Sequence, residues 1–130
     1  MSAKNELEKL SDIELLALCI WSEARGEPLK GQVAVAHVVL NRIRGNEWFG
    51  ETVSGVILKR YQFSWFNEPP AKLPKVGKEF LTMASMVEAG FTKDVSRGAT
   101  HFHADWLKPA PFWAAEMKRT TTIGAHIFYK

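Results

Sequence analysis

The chain has 130 residues, 46% of them hydrophobic and 24% charged, which is enough apolar content to close one core in one domain without metals or disulfides. Its formal net charge of +3 and isoelectric point near 9.1 give a mild attraction to polyanions that does not choose among nucleic acid, anionic lipid and wall polymers. The basic residues are scattered, no nucleic-acid-reading motif occurs, no apolar run reaches the about 18 residues of a membrane span, and the single Cys19 excludes an internal disulfide framework.

Residues 1–9 are polar and charged and lack the apolar centre of a secretion signal, so a soluble protein that begins in a cytoplasm is expected. Ser11, Asp12, Ile13 and Glu14 have the capping-box spacing, a hydroxyl followed three residues later by a carboxylate, and predict a helix start. Ile13, Leu16, Ala17, Ile20 and Ala24 then recur at steps of three and four, the stripe of a helix packed on a core, with Cys19 as packing inside it. Gly26, Glu27 and Pro28 end this helix, because proline disfavours helical backbone at the residue before it. Residues 31–44 are almost continuously apolar before Asn41, Arg42, Ile43, Arg44 and Gly45. Periodicity alone allows helix or buried strand there; the length and the small alanines favour a buried helix.

Residues 52–58 predict a short helix, and residues 59–74, with Pro69, Pro70 and Pro74, predict a long ordered loop. Loops of that length are often functional, which makes Tyr61, Gln62, Phe63, Ser64, Trp65, Phe66 and Asn67 a candidate binding wall. Residues 77–90 predict an amphipathic helix with Phe80, Met83, Ala84 and Val87 inward and its methionines as core filler. Residues 100–103 and 123–129, bounded by Gly98 and Gly124, predict two strands of one small antiparallel sheet, separated by a Pro- and aromatic-rich loop at 106–113. Helices first and strands last make an α+β plan.

Glu23 falls late in the first helix on the flank of its apolar stripe. Lost hydration there penalises the carboxylate and raises its pKa, the property a general acid needs; an edge glutamate paired with Arg25 or Arg42 is the alternative. Glu27 can be a second catalytic carboxylate, a substrate ligand or an acceptor for backbone N–H groups in the turn. Hydrolytic glycosidases use two carboxyl groups about 5 to 9.5 Å apart, so a single one needs a nucleophile from elsewhere. His101 and His103 share one strand face, where they can pack, bond a ligand or the acid, or join a metal site. Zinc needs three or four ligands, and His37, His126, Cys19 and the scattered acids offer no recognisable spacing. Five tryptophans exceed what a core of this size demands, so some are expected on a cleft, where flat rings suit sugar faces.

Five segments, taken together and in this order, resemble the SleB-type cell-wall hydrolases: Glu23 to Glu27; Gly31 to Ala36 with Asn41 and Arg42; Gln62, Phe63 and Ser64; Ala99 to Ala104; and Ile123, Gly124 and His126 to Tyr129. The resemblance covers residues 15–130, so one catalytic domain over 1–130 is expected, its motifs falling within about 11–130. The family includes spore-cortex-lytic enzymes and phage endolysins. Membership implies a lysozyme-like fold, a mainly helical lobe plus a small antiparallel β lobe with a cleft between, and aligns Glu23 with the family's single essential acid. It further implies lytic transglycosylase chemistry, in which one carboxyl group protonates the glycosidic oxygen and then serves as base on the muramic C6 hydroxyl, leaving a 1,6-anhydro end without a catalytic water. Phe102 stands where the family often has tyrosine, so no hydroxyl role carries over there.

The resulting expectation is a monomeric, cofactor-free and metal-free lysin. Glu23 is its catalytic residue, and Glu27, Gln62, Ser64, Trp65, His101 and His103 bind a peptidoglycan glycan strand, with no nucleic acid and no stable membrane association. Spore enzymes of this type usually carry a secretion signal and a wall-binding domain. Neither is seen here, so the expected route is that of a phage lysin made in the host cytoplasm, reaching the wall after the membrane is permeabilised. The rivals are a muramidase using Glu27 or Asp105 as second carboxyl group, a zinc amidase or peptidase built on His101 and His103, and a non-catalytic wall-binding module.

Overall fold

A computed structural model describes residues 2–45, 48–60 and 62–130. Helix α2 (Asp12–Ala24) begins on the expected capping box, with Ser11 Oγ accepting from the Glu14 N–H and the Glu14 carboxylate accepting from the Ser11 N–H. It ends before Gly26. Helix α3 (Leu29–Gly45) starts two residues earlier than the sequence suggests, because the Pro28 carbonyl accepts the N–H groups of Gly31 and Gln32 and opens the first turn. Pre-set proline φ suits that position.

Helix α4 (Val53–Ile57) is capped by the Thr52 hydroxyl. The long loop is interrupted by a single helical turn, α5 (Ser64–Asn67); Tyr61, expected in the binding wall, lies outside the described residues. Helix α6 (Lys78–Glu88) buries Phe80, Met83, Ala84 and Val87 as its stripe predicts, but Met86 is exposed and fills no core. A further helix, α1 (Ala3–Glu8), was not legible because only Ala3 and Leu7 of its six residues are buried. Ser2 caps it, and Leu7 joins the helical core.

The sheet has three strands where the sequence suggests two: β1 (His101–Ala104), β2 (Arg119–Ile123) and β3 (His126–Tyr129), ordered β1-β3-β2 and antiparallel throughout. The expected strand at 123–129 is therefore a corner. Ile123 closes β2, and the chain reverses at Gly124 and Ala125. Strand β2 is only partly buried and rich in Thr, with an irregular register between Arg119 and Thr121, so it lacks the alternation that marks a strand. A cis Lys108–Pro109 bond and a 3₁₀ turn at Phe112–Ala115 fill the β1–β2 connection.

Two apolar clusters hold these pieces. The larger gathers α2, α3, α4 and α6; the smaller, of Ala24, Ala34, Val35, Val38, Ala99, Ile123 and Phe128, fuses the sheet to α3 and the end of α2. Phe102 touches both, its ring 5.0 Å from His126 and 5.7 Å from Phe128. Cys19 is fully buried in the larger cluster, as packing.

Glu27 pins the sheet to the helices. Its Oε1 accepts the Ala125 N–H at 2.9 Å and lies 3.8 Å from His126 Nδ1. Gly124 has φ +56°, and a Cβ there would stand 2.6 Å from Glu27 Oε1 and 2.9 Å from Pro28 Cδ. Gly124→Ala combines a left-handed backbone with a steric clash, so a loss of more than about 1 kcal/mol is expected. Chemical denaturation should show a lower midpoint with an unchanged slope; an unchanged midpoint would remove Glu27 and Gly124 from this role.

Candidate active site

Glu23 stands in the last turn of α2, half-buried, beside the junction where the smaller cluster begins at Ala24. Gln32 fixes that helix end. Its Nε2 lies 3.2 Å from the Ala24 carbonyl, 3.4 Å from that of Arg25 and 3.3 Å from that of Glu27, supplying the donor that terminal carbonyls lack. Burial pushes the Glu23 carboxyl pKa above its ordinary value, and the positive charge of Arg42 works against that shift. Among the described residues, no hydrogen bond or ion pair engages the Glu23 carboxyl group.

Arg42 is the counterpart. It is 6% exposed on α3, donates through Nε to the Thr100 carbonyl at 2.7 Å and through Nη1 to Gln62 Oε1 at 3.1 Å. Its guanidinium carbon lies 4.8 Å from the Phe63 ring centre and 5.4 Å from that of Phe49. Burial draws its pKa down to about 10, so it stays cationic at neutral pH. Asn41, beside it, donates to Asp94 Oδ2 at 2.9 Å and to the Ala99 carbonyl at 3.0 Å. The pair therefore tethers the start of β1 to α3.

The candidate substrate residues divide. Gln62 is half-buried and held by Arg42. Ser64 is exposed at the first position of α5. Trp65 is half-buried, edge-on to Trp21 of α2 at 6.2 Å, and Trp21 lies under the Arg25 guanidinium at 4.3 Å. His101 packs between Phe49 at 5.8 Å and Trp113 at 4.8 Å. Burial, then Arg42, lowers its pKa to about 4, so its ring is neutral at neutral pH.

His103 shares the face of His101, as alternation requires, since both rings meet Trp113. It is buried, however, and both nitrogens are occupied: Nδ1 lies 2.8 Å from the Ala104 carbonyl and Nε2 2.9 Å from the Tyr129 hydroxyl. The carbonyl only accepts, so Nδ1 carries the proton and, in the neutral ring, Nε2 accepts from tyrosine. His103 links β1 to β3. Glu27 accepts through Oε1 from the β2–β3 corner. Among the described residues, no three His, Cys, Asp or Glu side chains gather around a common metal position.

Sequence reasoning missed Trp21, Phe49, Gln32 and Trp113 as parts of this region, and saw Arg42 only as an optional ion-pair partner. Trp21 was within reach, being two residues before Glu23. Gln32 lies within the motif at Gly31 to Ala36, but its tie to the end of α2 was not foreseen, and Phe49 and Trp113 come from distant segments for which spacing carries no signal.

The chain is similar to known proteins along most of its length. Residues 26–129 match the family model described as Cell Wall Hydrolase, a stretch that begins three residues beyond Glu23. The chain is 36% identical over 125 residues to a spore cortex-lytic enzyme of Halalkalibacterium halodurans, covering 91% of this chain and 34% of that one. It is 52% identical over 121 residues to a spore cortex-lytic enzyme of Oceanobacillus iheyensis, covering 92% and 42%. The chain thus spans well under half the length of these relatives. In three dimensions it is similar to the catalytic domain of the Bacillus cereus SleB protein, with a TM-score of 0.77, 31% identity and coverage of 92% and 89%. The catalytic domain of the germination-specific lytic transglycosylase SleB from Bacillus anthracis gives the same score and identity, with coverage of 94% and 98%.

The Glu23 environment has a consequence for stability. A carboxyl group whose folded pKa is raised stabilises the fold at low pH, and that contribution is lost as pH rises through the folded pKa, where the sheltered group must charge. Glu23→Gln removes the cost. Relative to the parent, the variant should gain stability between acid and neutral pH, with a melting temperature at pH 7 equal to or above the parent's. A variant that instead loses stability on going from acid to neutral pH would mean that Glu23 is a favourable ion-pair partner and not a sheltered acid.

Proposed function

The chain belongs to the cell wall hydrolase family, and from that membership we propose that it cleaves the β-1,4 bond between N-acetylmuramic acid and N-acetylglucosamine in peptidoglycan. Glu23 is its catalytic acid and base. One observation carries this reading: a half-buried carboxyl group with a raised pKa whose ionisation answers to burial and to Arg42. The two candidates for a second carboxyl group fit poorly. Glu27 already accepts the Ala125 N–H, and Asp105 is exposed beyond β1.

A single carboxyl group favours lytic transglycosylase chemistry over hydrolysis. Protonated Glu23 gives its proton to the bridging oxygen as the bond to muramic C1 breaks, and N-acetylglucosamine leaves with a free C4 hydroxyl. Glu23, now a carboxylate, takes the proton of the muramic C6 hydroxyl while O6 bonds to C1. The acid is regenerated and the new end is a 1,6-anhydro sugar. A raised pKa serves the first half and the nearby Arg42 charge the second, since it limits how far that pKa rises.

Within this reading Gln62, Ser64, Trp65 and His101 contact the glycan, joined by Trp21 and Trp113, whose ring faces suit sugar C–H surfaces. Glu27 and His103 support the site from behind. The enzyme works as a monomer without metal or cofactor. A lysin route, synthesis in a cytoplasm and access to the wall once the membrane is opened, belongs to the same proposal.

Glu23→Gln should keep the fold and lose about 10² to 10⁴ in the rate of clearing purified peptidoglycan. Mass spectrometry of the parent's digest should give muropeptides with 1,6-anhydro-muramic ends and activity that survives EDTA. Reducing muramic ends would replace the transglycosylase by a muramidase. Full clearing by the Gln variant would remove Glu23 from the chemistry, and binding to peptidoglycan without soluble products would leave a wall-binding module.

A further inference from the structure

Four exposed cations meet at the open end of the sheet: Arg97 in the turn before β1, Lys118 and Arg119 where β2 begins, and Lys130 after β3. With Thr120 they line a shallow pocket of about 230 Å³ that has no acidic side chain in its wall. Backbone pairing sets two of them side by side. The Lys118 N–H donates to the Lys130 carbonyl at 3.0 Å and the Lys130 N–H to the Lys118 carbonyl at 2.8 Å, the doubly bonded pair of an antiparallel ladder. Such partners project from the same face, where like charges oppose pairing. The Lys130 side chain also passes Gly98, its Cδ 3.9 Å from where a glycine Cβ would be.

Arg97 has φ +59°, a left-handed backbone that disfavours any residue with a Cβ. Asp94, three residues before it, does not neutralise it. The Asp94 oxygens face inward and accept from the Ser96 N–H and hydroxyl, the Gly98 N–H and Asn41. Among the described residues, none of the four cations forms an ion pair or side-chain hydrogen bond. Positive charge is therefore in excess in this pocket. A strained arginine and a like-charged cross-strand pair thus converge on one pocket, and neither has a structural partner.

We infer that this patch binds the phosphates of an anionic, phosphodiester-linked wall polymer, at a site separate from the residues that cleave glycan. The choice of a wall polymer rests on the wall-lytic reading above; the anion site itself does not. Two guanidinium forks present paired N–H donors suited to phosphate oxygens. The cations span a turn and two strand ends, so they can meet successive phosphates of a chain, whereas a single stem-peptide carboxylate engages one of them. Binding there holds the domain on the wall and raises its local concentration at the glycan.

The test compares pelleting with Gram-positive sacculi that retain their phosphodiester polymers and with the same sacculi stripped by cold hydrofluoric acid, which keeps stem carboxylates and glycan. The variants are Lys118→Gln/Arg119→Gln/Lys130→Gln, which spares the backbone pairs, and Arg97→Asn, whose new residue tolerates the left-handed turn. Circular dichroism confirms their folding. At low salt the parent should bind unstripped sacculi about tenfold more tightly than stripped ones, a preference that fades with added salt. The triple variant should lose the preference and Arg97→Asn should weaken it, while both clear stripped walls at the parental rate. Equal binding to both sacculi by the parent, or an undiminished preference in the triple variant, overturns the inference. So does parental binding to phosphatidylglycerol vesicles or duplex DNA as tight as that to unstripped sacculi. If stripped walls are bound but never cleaved by the parent, the lytic reading fails while the pelleting preference still decides the patch.

Discussion

The architecture depends on one buried guanidinium. Arg42 brings a positive charge into the interior of α3, a burial that is unfavourable unless polar partners surround it. Those partners are the Thr100 carbonyl and the Gln62 side chain, with the Phe49 and Phe63 rings around the charge. They come from three segments: Phe49 before α4, Gln62 and Phe63 after it, and Thr100 at the start of β1. Satisfying this cation therefore draws the start of β1 and the loops on either side of α4 to the same place, next to Glu23.

The same charge sets the electrostatics of the site. It restrains the rise that burial imposes on Glu23 and deepens the fall that burial imposes on His101. A carboxyl group with a raised pKa and an imidazole that stays neutral can thus share a region with a guanidinium. The other polar residues of the motifs act as ties. Gln32 closes the end of α2, Asn41 holds the loop before β1, Glu27 holds the β2–β3 corner and His103 joins β1 to β3 through Tyr129.

Elements governed by local rules were legible in the sequence. The Ser11 capping box, the apolar stripes of α2 and α6 and the shared face of His101 and His103 each follow from spacing alone, and each is present. Strand β2 and helix α1 escaped because their order comes from pairing and docking, not from an internal pattern: β2 is polar and bulged, and α1 offers two apolar anchors. At the site, the shelter of Glu23 could be read from its position on the stripe. The occupation of Glu27 and His103 could not, because their partners, Ala125 and Tyr129, lie 98 and 26 residues away. Residue type suggested chemistry for both, and the fold adds structural contacts to each.

Burial should make Glu23 hold its proton beyond the range of an ordinary glutamate. Carbon-13 NMR of the side-chain carboxyl groups across a pH series measures that directly, with Glu23→Gln assigning the resonance. The account predicts a midpoint for Glu23 displaced upward from the usual 4.5. A midpoint at or below that value would mean that Arg42 outweighs burial, leaving a permanent carboxylate that cannot start the reaction as an acid.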